Sequence, residues 1–282
     1  MSGALTNTPM VVAWQTGLGL FERYIYPPAP AGRDRTHVHA DVQVCLSENF
    51  PGRYRSGRWA LDIAAGAVSI VDAWEPHAAE DPIDRAWAAR YRVVYIAKAR
   101  WDQAAADIGR EPRVGIAVHR RAGLSNAVAV LHRRAEDGAS ALEQDERFGA
   151  LLVALLQRPR RAQPRRELLP READLDRARE FVRAHALGGV TLAEAAREAG
   201  LSPQHFATSF RARYGLPVHR FQTLMRLDHA KRLLALGEAP IDVAAACGLS
   251  DQSHLTRHFR RHLGLTPGRY RKSTARQGSS RA

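Results

Sequence analysis

Residues 191–216, TLAEAAREAGLSPQHFATSFRARYGL, are followed by a second version of the same pattern at residues 240–265, PIDVAAACGLSDQSHLTRHFRRHLGL. Displacing the chain by 49 positions superposes His205 on His254, Phe210 on Phe259, Arg211 on Arg260, Gly215 on Gly264 and Leu216 on Leu265. Upstream the displacement is 48, pairing Ala196 with Ala244 and Gly200-Leu201-Ser202 with Gly248-Leu249-Ser250. Two copies are too few for a solenoid and suit a duplicated module.

Each copy reads as helix, tight turn, helix. Thr191 and Glu194 have capping-box spacing, in which hydroxyl and carboxylate satisfy free N–H groups reciprocally. Leu192, Ala195, Ala196 and Ala199 form a narrow small-residue face that lets a second helix cross closely. Gly200 can take the left-handed conformation that stops a helix, and Ser202 with Pro203 are good N-cap and N1 residues for the next one. The second copy repeats the plan with Val243, Ala244, Cys247, Gly248 and Ser250, so Cys247 is expected to be a small core residue. A helix-turn-helix places the outer face of its second helix in the DNA major groove. At about 100° per residue, burying Phe206 and Phe210 turns Gln204, Thr208 and Arg211 outward. Burying Leu255 and Phe259 turns Ser253, Arg257, Arg260 and Arg261 outward, with His254 and Thr256 on the flanks. Arg and Gln have donor geometry suited to base edges, and further Arg residues grip phosphate. Between the copies, Val218 to Leu236 reads as one long amphipathic helix holding the units at fixed separation.

Around this repeat the charge is uneven. The 282-residue chain carries 42 Lys and Arg against 29 Asp and Glu, a net +13. Residues 1–156 are balanced, residues 157–170 carry +4 and residues 171–282 carry +9. A basic half on a neutral half suggests one module for a polyanion and another for a different partner. Two cysteines, Cys45 and Cys247, build neither a disulfide framework nor a four-thiolate zinc site. The most apolar stretch, Trp59 to Trp74, is interrupted by Asp62 and Asp72 and is too short for a bilayer. With no secretory signal at the start, a cytoplasmic protein with no membrane association is expected.

Upstream, Val11 to Ile96 has short β-type runs (Val42–Leu46, Tyr54–Leu61, Val68–Val71, Tyr91–Ile96) punctuated by Pro and Gly, as in a small antiparallel sheet or barrel. From Leu124 to Gln157 the period becomes helical, ending in a stripe of Leu142, Phe148, Leu151, Leu152, Leu155 and Leu156. That stripe packs either on its own barrel or against a second copy, as a homodimer contact around residues 142–156. Residues 158–166, with two prolines and five arginines, read as an exposed linker.

The segment from Leu192 to Arg271, with A-x3-G-L-S at Ala196, F-R-x3-G-L at Phe210 and A-x3-G-L-S-D-Q-S-x-L-T-R-x-F-R-x3-G-L-T-P-x2-Y-R at the end, resembles the DNA-binding domain of the AraC/XylS-type transcriptional regulators. The family usually has Phe where Leu249 follows the second turn glycine, a conservative core change. The resemblance implies base contacts at Gln204, Ala207 and Thr208, and at Gln252, Ser253, Thr256 and Arg257. The neutral half is similar to the cupin-like sensor barrel of such regulators, through His37-x-His39-x3-Gln43, Gly66 and Pro76-His77. In metal cupins histidines and a glutamate hold the metal; here Gln43 stands at the glutamate position and is a poor ligand.

The expected fold is therefore two-domain α+β. Residues 1–156 form a cupin-like antiparallel β-barrel with trailing helices and residues 157–170 a linker. Residues 171–272 form an all-α domain of two helix-turn-helix units joined by a long helix, and residues 273–282 a flexible tail. The expected function is a one-component regulator that binds adjacent major-groove segments of double-stranded DNA through Gln204, Ala207, Thr208, Arg211, Gln252, Ser253, His254, Thr256, Arg257 and Arg260. A small organic effector is expected among His37, His39, Gln43, Trp74 and His77, and RNA polymerase as a partner if the output is activation. No catalytic residue, cofactor or metal is expected. The alternative is a metal-dependent cupin enzyme with secondary DNA binding. A DNA-repair methyltransferase would need a reactive cysteine and a cysteine zinc cluster, and residues 1–156 contain only Cys45.

Overall fold

A computed structural model describes residues 9–32, 36–56, 59–157, 161–162 and 170–275. Among the described residues its N-terminal part is built on ten antiparallel-paired strands. β1 (Met10–Thr16), β2 (Gly19–Tyr26), β3 (Val42–Ser47), β6 (Val68–Val71), β8 (Ala89–Ile96), β9 (Ile116–His119) and the two-residue β10 (Arg161–Ala162) form one sheet in the order β1-β2-β8-β3-β6-β9-β10. β4 (Gly52–Ser56), β5 (Trp59–Ile63) and β7 (Ala78–Glu80) form a second, in the order β5-β4-β7.

Period-two alternation gives the large sheet two apolar faces. Trp14, Phe21, Val42, Val44, Val68, Ile70, Val94 and Ile96 point to one side, where they pack on α1 (Lys98–Asp107), α2 (Ala122–Glu136) and α3 (Ala141–Leu156). Val11, Ala13, Leu20, Tyr24, Cys45, Val93 and Tyr95 point to the other, against the C-terminal helices. Both faces are covered, so all six residues of β3 are buried and its sequence reads as nearly continuous apolar run rather than clean alternation.

The C-terminal part is all helical: α4 (Pro170–Ala184), α5 (Leu192–Glu198), α6 (Pro203–Tyr214), α7 (Val218–Ala235), α8 (Pro240–Ala246), α9 (Gln252–Leu263) and α10 (Pro267–Ala275). The first half of α7, with Phe221, Leu224 and Met225, shares a core with Phe206 and Phe210 of α6. Its second half, with Leu227, Ala230 and Leu234, shares a core with Val243, Leu255 and Phe259, and with the sheet. The long helix thus joins the two units and also seats them on the strands.

Three expectations need correction. The strands form two sheets, and among the described residues no pairing closes them into one barrel; β1 and β10 are the edges of the larger one. The run Tyr54–Leu61 is divided between β4 and β5, which pair as a hairpin. Of the two surfaces considered for the α3 stripe, the chain's own core is the one observed and needs no correction: Phe148, Leu151, Leu152, Leu155 and Leu156 are buried in it, and Leu142, outside that face, is 79% exposed. In the linker, Arg161 and Ala162 pair with Val118 and Ala117 of β9, while residues 158–160 and 163–169 lie outside the described residues. Residues 273–275 continue α10, and the remainder of the expected tail, 276–282, lies outside them too.

Candidate nucleic-acid interface and effector cavity

In the first helix-turn-helix unit, Thr191 and Glu194 form the expected capping box on α5. Ser202 caps α6 by accepting from the His205 N–H, and Pro203 occupies N1. In the second unit the cap is Asp251, whose Oδ1 accepts from the His254 N–H at 2.7 Å, and not Ser250. Ser250 instead lies 3.0 Å from the His254 ring and bonds the Asp251 carboxylate. Asp251 is the extra residue that changes the repeat displacement from 48 to 49.

Phe206, Phe210, Leu255 and Phe259 are fully buried. Opposite them Gln204, Thr208, Arg211, Gln252, Ser253, Arg257 and Arg260 are exposed, with Ala207, His254 and Thr256 half-buried. All ten residues therefore lie on the accessible sides of α6 and α9. The turn glycine Gly248 has φ +64°, and a Cβ there would lie 2.1 Å from the Leu187 carbonyl oxygen, so the second turn abuts the segment leading into the first unit. Arg226 of α7 donates to the Ala186 carbonyl beside it at 2.8 Å.

Between the sheets and the helical part lies a cavity of about 480 Å³. His37, His39, Gln43 and His77 line it. Trp74 does not. Its backbone takes φ 67°, donates to the His39 carbonyl at 2.9 Å, and sends the indole towards Phe221 of α7 and beneath the Arg183 guanidinium. The opposite wall comes from Leu227, Asp228 and Lys231 of α7 and from residues 260–264 at the end of α9. No local pattern marks those residues, because they meet the strands only through tertiary packing.

The imidazoles have a defined protonation. His39 Nδ1 lies 2.6 Å from the Asp41 carbonyl oxygen, and His77 Nδ1 lies 2.9 Å from that of Glu75. A carbonyl only accepts, so each Nδ1 carries the proton. Burial, then neighbouring His37, pushes His39 down to about 3; burial, His37 and His39 hold His77 well below its ordinary value. Both rings are neutral. His39 Nε2 and His77 Nε2 are buried and have no hydrogen-bond partner among the described residues. The same residues contain no grouping of three His, Cys, Asp or Glu that could hold a metal ion. Burial pushes Cys45 up to about 12 and Cys247 up to about 11, so neither is a reactive thiolate.

Beside the cavity, a buried polar cluster ties the two parts together. Glu22 of β2, fully buried, accepts from Tyr24 Oη at 2.6 Å, Lys231 Nζ at 3.1 Å and Tyr270 Oη. Burial and the Glu22 charge hold both phenols well above their ordinary range, so both remain donors. Lys231 Nζ also sits 4.2 Å from the Tyr95 ring centroid. Nearby, Arg232 pairs with Asp41 at 2.8 Å, and the Ala40 N–H donates to Asp228 at 3.2 Å.

A protein-family model described as a helix-turn-helix domain matches residues 195–273. The "Probable transcriptional regulator LumQ" of Photobacterium leiognathi is 34% identical over 91 residues, covering 32% of this chain and 37% of that protein; the chain spans about a third of that relative's length. The HTH-type transcriptional activator RhaR of Yersinia pestis is 24% identical over 246 residues, 84% of each chain. In fold, the chain is similar to apo ToxT K231A of Vibrio cholerae, with TM-score 0.67, 10% identity, and 93% of this chain and 99% of that one covered. Unsaturated fatty acid bound wild-type ToxT gives TM-score 0.63 at 11% identity over 91% and 96%. Among the described residues no helix is long and apolar enough to cross a membrane. The repeated, capped helix pairs and the matching domain model make residues 195–273 an AraC-type helix-turn-helix domain, and over 84% of its length the chain is similar to an HTH-type transcriptional activator.

Proposed function

We propose that the chain is a one-component, sequence-specific transcriptional regulator controlled by a small organic effector in the cavity between its two parts. Gln204 on α6 and Arg257 on α9 read base edges, with Gln252, Ser253, Thr256 and Thr208 beside them. Ala207 offers an apolar contact, and Arg211, His254 and Arg260 serve the backbone. α7 sets the spacing of the two helices, so that they enter adjacent major-groove segments about 10 bp apart.

The observation that carries the regulatory half of the reading is that α9 has two jobs. Its outer side presents Ser253 and Arg257, while its C-terminal end, with His262 and Leu263, faces the same cavity as His39 and His77. A ligand that binds one arrangement of strands and helices better than another shifts the population of that arrangement, and with it the geometry of α9. The ToxT structure with bound unsaturated fatty acid supports a small organic effector in this fold, and the two-sheet N-terminal part supports the cupin-like sensor reading. Dimerisation through α3 is no part of the proposal, because its stripe is already buried.

The test selects a duplex from random DNA with the full chain, then measures affinity for it in the presence of small organic molecules that raise the thermal midpoint. Binding to the folded state must raise that midpoint. Ligands that also change DNA affinity are expected; midpoint shifts with unchanged DNA affinity contradict the coupling.

A further inference from the structure

We propose that the first reading helix, α6, selects thymine by its 5-methyl group, which it meets with the methyls of Ala207 and Thr208. This rests on α6 and α9 being the helices that read DNA, and it names the base that one of them takes.

The 49-residue displacement of the repeat places Gln204 on Ser253, Ala207 on Thr256, Thr208 on Arg257 and Arg211 on Arg260. The two helices also start in register, because Ser202 caps α6 and Asp251 caps α9. Thr208 and Arg257 therefore occupy the same turn of their helices. Residues three, four and seven positions after Gln204 share its side of α6. Gln204, Thr208 and Arg211 are exposed there, with Ala207 half-buried between them. The middle of this stripe changes character between the units. In α9 it holds a hydroxyl and a guanidinium, whereas in α6 it holds Ala207 and Thr208.

Thr208 does not bring a donor to that position. Its Oγ1 donates to the Gln204 carbonyl, one turn back, at 3.1 Å, a bond that threonine forms inside helices. With the hydroxyl proton engaged on its own backbone, the methyl is the group that Thr208 adds to that of Ala207. In the major groove thymine presents a methyl at C5, and Ala and the Thr methyl are its apolar partners. Gln204, on the preceding turn, has the donor and acceptor that adenine N7 and N6 take. An A·T-rich half-site suits all three side chains. α9 has no such apolar pair, and its Arg257 suits guanine O6 and N7. The Thr208 oxygen keeps lone pairs that could accept from a base, so the methyl and the hydroxyl must be separated by substitution.

The test uses the full chain and a duplex selected from random DNA. Each thymine is replaced in turn by deoxyuridine, which removes the 5-methyl and keeps the base pair, and affinity is measured at one salt concentration. At one position or more, uracil should weaken wild-type binding about fourfold, the effect of one buried methyl. Thr208→Ser, which keeps the hydroxyl and loses the methyl, should bring that factor close to one at a thymine that Thr208 meets. Ala207→Gly should do the same at the thymine that Ala207 meets. Thr208→Val, which keeps the methyl and has no hydroxyl, should retain the factor. A cooperative thermal transition certifies that each variant is folded. Equal affinity for thymine and uracil at every position overturns the proposal, as does a selected duplex without thymine. A factor that survives at every thymine in both Thr208→Ser and Ala207→Gly overturns it too, and so does one lost in Thr208→Val, which would make the hydroxyl the reading group. In each of these cases the duplex is still preferred over random DNA, so sequence reading by α6 and α9 stands. If selection yields no preferred duplex, both readings fall.

Discussion

His132 shows how a buried neutral histidine sets a pH dependence. It lies fully buried between Trp14 and Phe21, with Nε2 3.1 Å from the Glu22 carbonyl oxygen and Nδ1 3.3 Å from Arg92. Burial, then Arg92, pushes it down to about 3. In the unfolded chain the same ring takes its proton near pH 6.5. Between these values the unfolded state binds more protons, so the stability present above about pH 6.5 is lost as pH falls towards 3. Urea unfolding of wild type and His132→Gln should show wild type losing up to about 1.4 kcal/mol per pH unit relative to the variant below pH 6.5. A constant difference from pH 7.5 to 4.5 would contradict the assignment. Outward faces were legible in the sequence where a helical period marks them, as for Gln204 and Arg257, both exposed. Trp74 was misread because its left-handed backbone, invisible in composition, turns the indole away from the cavity.

At the scale of elements, Asp251 carries the most specific statement. It caps α9, whereas the repeat points to Ser250, because one inserted residue moves the helix start without disturbing the turn. Asp251→Ala should lower thermal stability by about 1 kcal/mol, and Ser250→Ala by clearly less. The reverse order would restore Ser250 as the cap. The helix-turn-helix units were readable because caps, turn glycines and small-residue faces are local signals. α3 was only half readable, since periodicity shows an apolar stripe but not which surface covers it. α1 and β9 escaped notice: α1 buries only Trp101 and Ala105, and the four-residue β9 has too few residues to show a period.

For the whole molecule, the contact between the two parts is the least legible feature and the one that gives the cavity its second wall. It combines the apolar surface of β1, β2 and β8 against α7 and α10 with the Glu22, Tyr24, Lys231 and Tyr270 cluster. Residues 22, 231 and 270 are far apart in sequence, so nothing local foretells their meeting. Breaking a buried ion pair from one side leaves an uncompensated charge, which costs about 3–5 kcal/mol. Glu22→Ala should therefore destabilise by roughly that amount, and Lys231→Met added to it should recover a large part. Additive losses in this pair, measured by urea unfolding, would place the two side chains apart.

Sequence reading by the duplicated helices is tested most directly by the ratio of affinities for a selected duplex and for random DNA, measured at one salt concentration for wild type and Arg257→Ala. Loss of a base contact worth about 1–3 kcal/mol should weaken binding to the selected duplex by about 10- to 100-fold while random-DNA affinity barely changes, collapsing the ratio. An equal loss on both DNAs would mean that Arg257 only holds phosphate, and would contradict the assignment of α9 as a reading helix.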